Sequence, residues 1–132
     1  MPKQTIFLFG EAEKGEFCTP VHCRSLDQLM DNLGNAPQES LGISYAVQTL
    51  LYERELIFFR VKEEGFSTSD YMKGVQFLQK EERRLLISAI CLPGVGDAQI
   101  IEAMSDVCLS QQAILILAEK DFFDYLTYEI RS

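Results

Sequence analysis

Two short apolar runs constrain this chain more than any other feature. The first is Leu85-Leu86-Ile87-Ser88-Ala89-Ile90-Cys91 and the second is Ala113-Ile114-Leu115-Ile116-Leu117-Ala118. Each is apolar at nearly every position rather than at every second one. Runs this short and this apolar fit strands covered on both faces, the habit of parallel sheets. Between them lie Pro93-Gly94-Val95-Gly96-Asp97 and then a segment that sets Ile100, Ile101, Met104, Val107 and Cys108 on one helical face. Strand, helix and strand in this length make a βαβ unit, whose crossover is almost always right-handed. The expectation is a parallel sheet at the heart of a single α/β domain spanning residues 1–132.

The remaining segments supply more strands and the helices that cover them. Thr5-Ile6-Phe7-Leu8-Phe9 reads as an opening strand ended by Gly10, followed by a polar loop. Thr19-Pro20-Val21-His22-Cys23 reads as a short extended or edge segment, because Pro20 cannot donate to a central ladder. Ser25 and Gln28 stand in capping-box register ahead of a stripe of Leu26, Leu29, Met30 and Leu33, and Gly34 can close that helix. A second helix carries Ile43, Ala46, Val47, Leu50 and Leu51 on one face. The strand at 56–61 has a mixed pattern that predicts partial burial. Ser67 and Asp70 share a second capping-box register, opening a helix whose narrow face is Tyr71, Gly74, Val75 and Leu78. The run at 81–84 reads as a solvated polar corner. Phe122, Phe123, Leu126 and Ile130 predict a terminal helix, with a strand near 126–130 as the alternative. About four main strands flanked by helices give a three-layer α/β sandwich with a mostly parallel sheet.

Composition excludes several classes. With 20 acidic against 12 basic residues the net charge is −8, which argues against general nucleic-acid binding and against docking on an anionic membrane. No stretch approaches the ~18 consecutive apolar residues of a membrane span. The start of the chain lacks the pattern of a secretory signal, so a cytoplasmic location is expected. The four cysteines, Cys18, Cys23, Cys91 and Cys108, are then expected as free thiols.

Signals for chemistry are weak, and no catalytic residue, cofactor or metal is assigned. His22 is the only histidine, and its spacing from Cys18 and Cys23 matches no common zinc pattern. Gly94 and Gly96 sit after a strand and before a helix, where phosphate loops lie. The third glycine of the dinucleotide fingerprint is replaced by Gln99, and no Lys-Ser or Lys-Thr pair follows. A tight turn with Asp97 capping the helix is the simpler reading of Pro93, Gly94, Gly96 and Asp97. These four residues are nonetheless the candidate loop at the strand ends. Lys120 and Asp121 follow the last strand at the usual ligand edge of such sheets.

The loops in their order carry a resemblance to the tail sheath proteins of contractile bacteriophages and related injection systems. The similar features begin with Ile6-Phe7-Leu8-Phe9-Gly10, the turn Glu13-Lys14-Gly15, and Thr19-Pro20-Val21. They continue with the capped helix from Ser25 to Leu33-Gly34 and with Phe58-Phe59-Arg60-Val61. The helix around Gly74 and Leu78 follows, then Ile90-Cys91-Leu92-Pro93-Gly94 with Asp97 shortly after. The helix ending near Cys108 and the strand Ile114-Leu115-Ile116-Leu117 complete the series. The resemblance implies the family's α/β region alone, without its further C-terminal domain and linking arms. It implies a non-enzymatic structural or assembly protein, working through self-association or contact with other tail components, in the cytoplasm or in a phage-like particle assembled there. The alternative is a small-molecule or nucleotide-binding α/β domain that uses the loop from Pro93 to Asp97.

Overall fold

The computed structural model describes residues 4–81 and 85–131. The polar corner expected at 81–84 falls mostly outside them, as do the start of the chain and the side chain of Ile130. In chain order the elements are β1 (Thr5–Gly10), β2 (Pro20–Cys23), α1 (Leu26–Leu33), α2 (Gly42–Leu51) and β3 (Glu55–Arg60). They continue with α3 (Thr68–Lys80), β4 (Ile87–Cys91), α4 (Ala98–Gln111), β5 (Ile114–Ile116) and α5 (Glu119–Arg131).

The strands form one sheet in the order β2-β3-β1-β4-β5. β1 runs parallel to both β3 and β4, and β4 runs parallel to β5. β2 is antiparallel to β3 at one edge, a place that tolerates Pro20 because an edge strand can leave one row of donors unused. The sheet is thus mostly parallel and the fold is α/β, with β2 added to the four main strands.

Side-chain alternation along β1 divides the core into two layers. Ile6 and Leu8 face the side covered by α1, α2 and α5, where Leu29, Leu33, Ala46 and Phe122 meet them. Phe7 and Phe9 face α3 and α4, among Phe59, Tyr71, Val75 and Met104. All four of these β1 side chains are 0% exposed, so no face of the strand is spare. Phe7, Phe9 and Phe59 form a cluster with ring centroids 5.0–6.0 Å apart, and Tyr71 stacks on Phe9 at 5.3 Å.

Several local readings need correction. The strand at 56–61 was expected half-buried, yet Leu56 to Phe59 are fully covered, because β3 lies inside the sheet rather than at its edge. The run at 113–118 was expected to be covered on both faces. β5 is a three-residue edge strand with Ile114 53% exposed, since only β4 flanks it. β4 begins at Ile87, leaving Leu86 84% exposed. In α2 the buried stripe is Ile43, Tyr45, Ala46 and Thr49, and Leu51 turns outward. Thr49 can be buried because its hydroxyl donates to the Tyr45 carbonyl at 2.9 Å. The terminal segment is helix, not strand.

The first capping box forms with a shift. Ser25 Oγ accepts from Gln28 N at 3.1 Å, while the Gln28 side chain accepts from Arg24 N, one residue earlier than the usual partner. The second does not form. Ser67 Oγ turns back to the Glu63 carbonyl, and buried Asp70 accepts from Lys62 N at 2.9 Å. Both side chains therefore hold the loop between β3 and α3 instead of the start of α3.

Gly74 explains how closely α3 approaches the sheet. A Cβ there would sit 2.2 Å from Phe9 Cε2, and the Phe9 ring is buried with no room to move. Gly74→Ala is expected to lower stability by about 1–3 kcal/mol through overpacking. Urea unfolding measures this; an unchanged midpoint would show that α3 does not press on Phe9.

Candidate functional site

The helices that leave β1 and β4 go to opposite faces of the sheet. In open α/β sheets the crevice beyond the carboxyl ends of two such strands is where ligands bind.

The crevice is filled by the chain itself. Gly65, from the loop after β3, packs on Gly94, from the loop after β4, and a Cβ on Gly65 would lie 2.4 Å from the Gly94 carbonyl oxygen. β1 stands between β3 and β4, so this contact crosses over its carboxyl end. Gly65 is at φ +89° and donates its N–H to the Tyr71 hydroxyl at 2.7 Å. Burial pushes the Tyr71 phenol well above its ordinary range, so the hydroxyl stays neutral across ordinary pH.

Next to Gly65, Glu64 ties three loops together. Its Oε1 accepts from Glu11 N at 3.0 Å and Gly42 N at 2.9 Å, and its Oε2 accepts from Leu41 N at 2.6 Å. In return Glu64 N donates to Glu11 Oε2 at 2.8 Å. The N-cap position of α2 is Leu41, which has no side-chain acceptor. The first turn of a helix leaves donors unpaired and carries a partial positive charge. Glu64 supplies the missing acceptor from the β3–α3 loop and occupies the place an anion would take. Gly10 and Gly42 permit the arrangement, since a Cβ on Gly10 would fall 2.7 Å from Gly42 Cα. Partial burial raises the Glu64 carboxyl above its ordinary value, with Glu11 adding to the rise, against the lowering by the three N–H donors.

Pro93, Gly94, Gly96 and Asp97 do stand together, as a turn and a cap. Val95 N donates to the Leu92 carbonyl at 3.2 Å, Gly94 takes φ +78°, and Pro93 and Val95 are buried. Asp97 Oδ1 accepts from Ile100 N at 3.1 Å and caps α4. Gly96 is exposed with nothing near its Cα hydrogen. The Asp97 carboxylate thus stands at the start of α4, where a phosphate would need donors. Lys120 and Asp121 lie exposed in the first turn of α5.

The cysteines and His22 do not converge. His22 is exposed and Cys23 is buried, as successive strand residues must point to opposite faces. Cys18, at φ 55°, lies beside Asp70, and burial with that carboxylate raises its thiol. Among the described residues no three His, Cys, Asp or Glu side chains are grouped to hold a metal. All four thiols are free; burial pushes Cys108 up to about 11 and Cys91 further.

Open space lies at the other end of the sheet. A groove of about 720 Å³ is lined by residues that include Gln4, Leu86, Ile87, Gln111, Ile114 and Tyr125. It sits beside the amino ends of β4 and β5, where α4 finishes. Gln111 Nε2 donates to the Leu78 carbonyl at 3.0 Å, which fixes the amide, while its Oε1 is buried without a partner. Sequence reading missed this groove because its residues are scattered over five segments. The surplus of Leu85 and Leu86 ahead of the strand was the available signal.

Compared with known proteins, the chain matches no protein-family model and no curated sequence.

Two outcomes test this arrangement. Glu64→Ala leaves α2 uncapped and is expected to cost about 2 kcal/mol in urea unfolding; a loss within error would mean that water serves the three donors equally well. The second concerns pH. A carboxyl whose pKa is raised in the fold contributes stability below its unfolded pKa of 4.5 and loses it as pH rises through the raised value. Wild type is therefore expected to lose stability relative to Glu64→Gln as pH goes from about 4 to 7. A gap that stays constant, or moves the other way, contradicts the burial of this group.

Proposed function

We propose that this protein is a non-enzymatic structural or assembly protein, a compact domain resembling the α/β region of contractile tail sheath proteins. It works through protein surfaces, with itself or with other components of a tail-like particle assembled in the cytoplasm. The order of loops and strands described for the sequence is the basis of the kinship. The observation that carries the functional reading is the filled crevice. At the carboxyl ends of the strands, where an α/β domain would hold a small ligand, Glu64, Gly65 and Gly94 are packed against one another. A nucleotide there would have to displace a carboxylate already bonded to three backbone N–H groups.

Surface features favour contact over catalysis. The large exposed apolar side chains include Leu86 at 84%, Leu109 at 79% and Tyr128 at 67%. Leu86 and Ile114 line the same groove. Among the described residues no helix is long and apolar enough to cross a membrane.

Thermal melting with a panel of nucleotides and metabolites separates this reading from the alternative, a ligand-binding domain built on the loop from Pro93 to Asp97. A ligand at 100 times its Kd would stabilise the native state by about 2.7 kcal/mol. The expected result is no shift in Tm with any of them. A reproducible rise with one compound, abolished by Asp97→Ala in a variant that still folds, would overturn the proposal.

A further inference from the structure

The loop before β2 folds back on the end of β3. Cys18 N donates to the Arg60 carbonyl at 2.9 Å, and Arg60 Nη1 donates to the Gly15 carbonyl. This sets Phe17 under the Arg60 guanidinium, whose Cζ lies 4.0 Å from the ring centroid. Lys62 Nζ lies 6.0 Å from the same ring. The face of an aromatic ring attracts cations, and here one ring serves two. A third cation joins them from α3. Burial and the Asp70 carboxylate raise the Cys18 thiol, while Lys73 and Lys62 act against them, so both ammonium groups lie near that sulfur.

None of these three cations is paired with a carboxylate. Among the described residues the one ion pair within 4.0 Å is Arg24 with Glu55. Asp70 is 3% exposed and turns its Oδ2 to Lys62 N, which donates to it at 2.9 Å. Glu16 and Glu63 are exposed beside the patch, and neither is in ion-pair range of the three. Arg60 Nε is buried without a hydrogen-bond partner. Unpaired cations are least expected in a chain with 20 acidic against 12 basic residues. Like charges gathered at one place repel each other, and an anion set between them turns that repulsion into attraction. Lys62 and Lys73 are exposed and Phe17 is 43% exposed, so the place is open to a partner.

We propose that the patch of Phe17, Arg60, Lys62 and Lys73 binds an acidic segment of a partner protein, with carboxylates against the three cations and an apolar side chain on the open part of Phe17. The net charge of −8 selects a short acidic segment over a nucleic acid. The phosphates of a nucleic acid recur every few ångströms along the strand. They would run on past three cations onto a surface where carboxylates outnumber bases, with Glu16 and Glu63 at its border. A few carboxylates on a peptide end where the cations end. Exposed charges contribute modestly in water, so a Kd on the order of 100 µM at low salt is the expectation. This inference rests on the assembly reading above and names the chemistry of the partner.

Titration of the isotope-labelled full chain with a peptide of glutamate and leucine, followed by amide chemical shifts, is the test. The expected result is a saturable shift of the amides around Phe17, Lys62 and Lys73. Binding should weaken at least tenfold in about 0.5 M salt, where the screening length shortens to about 4 Å. Lys62→Glu and Lys73→Glu change exposed side chains, so the double variant should keep the wild-type circular dichroism spectrum. It is expected to bind the peptide at least tenfold more weakly. Shifts of the same amides with protein concentration alone, abolished in the double variant, would support the proposal and make the acidic segment that of a second copy. No shift of these amides with peptide on the order of 1 mM overturns it. So does binding that the double variant leaves intact, or tighter binding at these residues of a single-stranded oligonucleotide of the same charge. Each of those results leaves the assembly reading standing, whereas a nucleotide that saturates the same amides would remove both.

Discussion

The burial of β1 on both faces governs the rest of the architecture. A strand with Ile6 and Leu8 on one side and Phe7 and Phe9 on the other, all out of water, has to be roofed twice. Burying each of these side chains is worth roughly 1.5–3 kcal/mol, comparable in sum with the ~5–15 kcal/mol that separates folded from unfolded domains. Two roofs require connections that leave the sheet in opposite directions, and short connections of that kind are helices between parallel strands. α1 and α2 cover one side on the way from β1 to β3, and α3 covers the other on the way from β3 to β4. The three layers follow from one doubly apolar strand.

The same constraint produces the crevice and then closes it. Once helices leave β1 and β4 for opposite faces, a gap opens beyond the strand ends. In this chain the β3–α3 loop folds across it. Asp70 and Ser67 hold the loop's flanks through Lys62 N and Glu63. Glu64 fastens it to the starts of α2 and of the β1–β2 loop. The carboxylate is costly to bury and useful where it lies, because it answers three donors and a helix terminus that lacks its own cap. Stability at this end is obtained by backbone donors and a carboxylate that satisfy one another.

Most of the fold was legible in the sequence, and the reason is that apolar runs report burial directly. β1, β4, the stripe of α3 and the Asp97 cap all follow from residues within a few positions of one another. The edge position of β2 follows from Pro20 alone. The misreadings have a common cause. The burial of β3, the exposure of β5 and the outward turn of Leu51 depend on strand order, which no local pattern records. The Glu64 knot is less legible still, since its partners lie 22, 23 and 53 positions away. One clue existed: Gly42 opens a helix behind Leu41, a residue that cannot cap it. An uncapped start implies an acceptor from elsewhere in the chain. The second capping-box pattern, at Ser67 and Asp70, misled because the motif is the same whether the side chains serve the helix or the loop before it.

Amide hydrogen exchange measures most directly whether the carboxyl end of the sheet is sealed by its own chain. The N–H groups of Glu11, Leu41, Gly42 and Glu64 should exchange slowly, at rates approaching those of the β1 and β3 amides. In Glu64→Ala those of Glu11, Leu41 and Gly42 should speed up together while the strands stay protected. Fast exchange at these positions in the wild-type protein, with the sheet intact, would mean that the loop stands open and that the crevice is free to take a ligand.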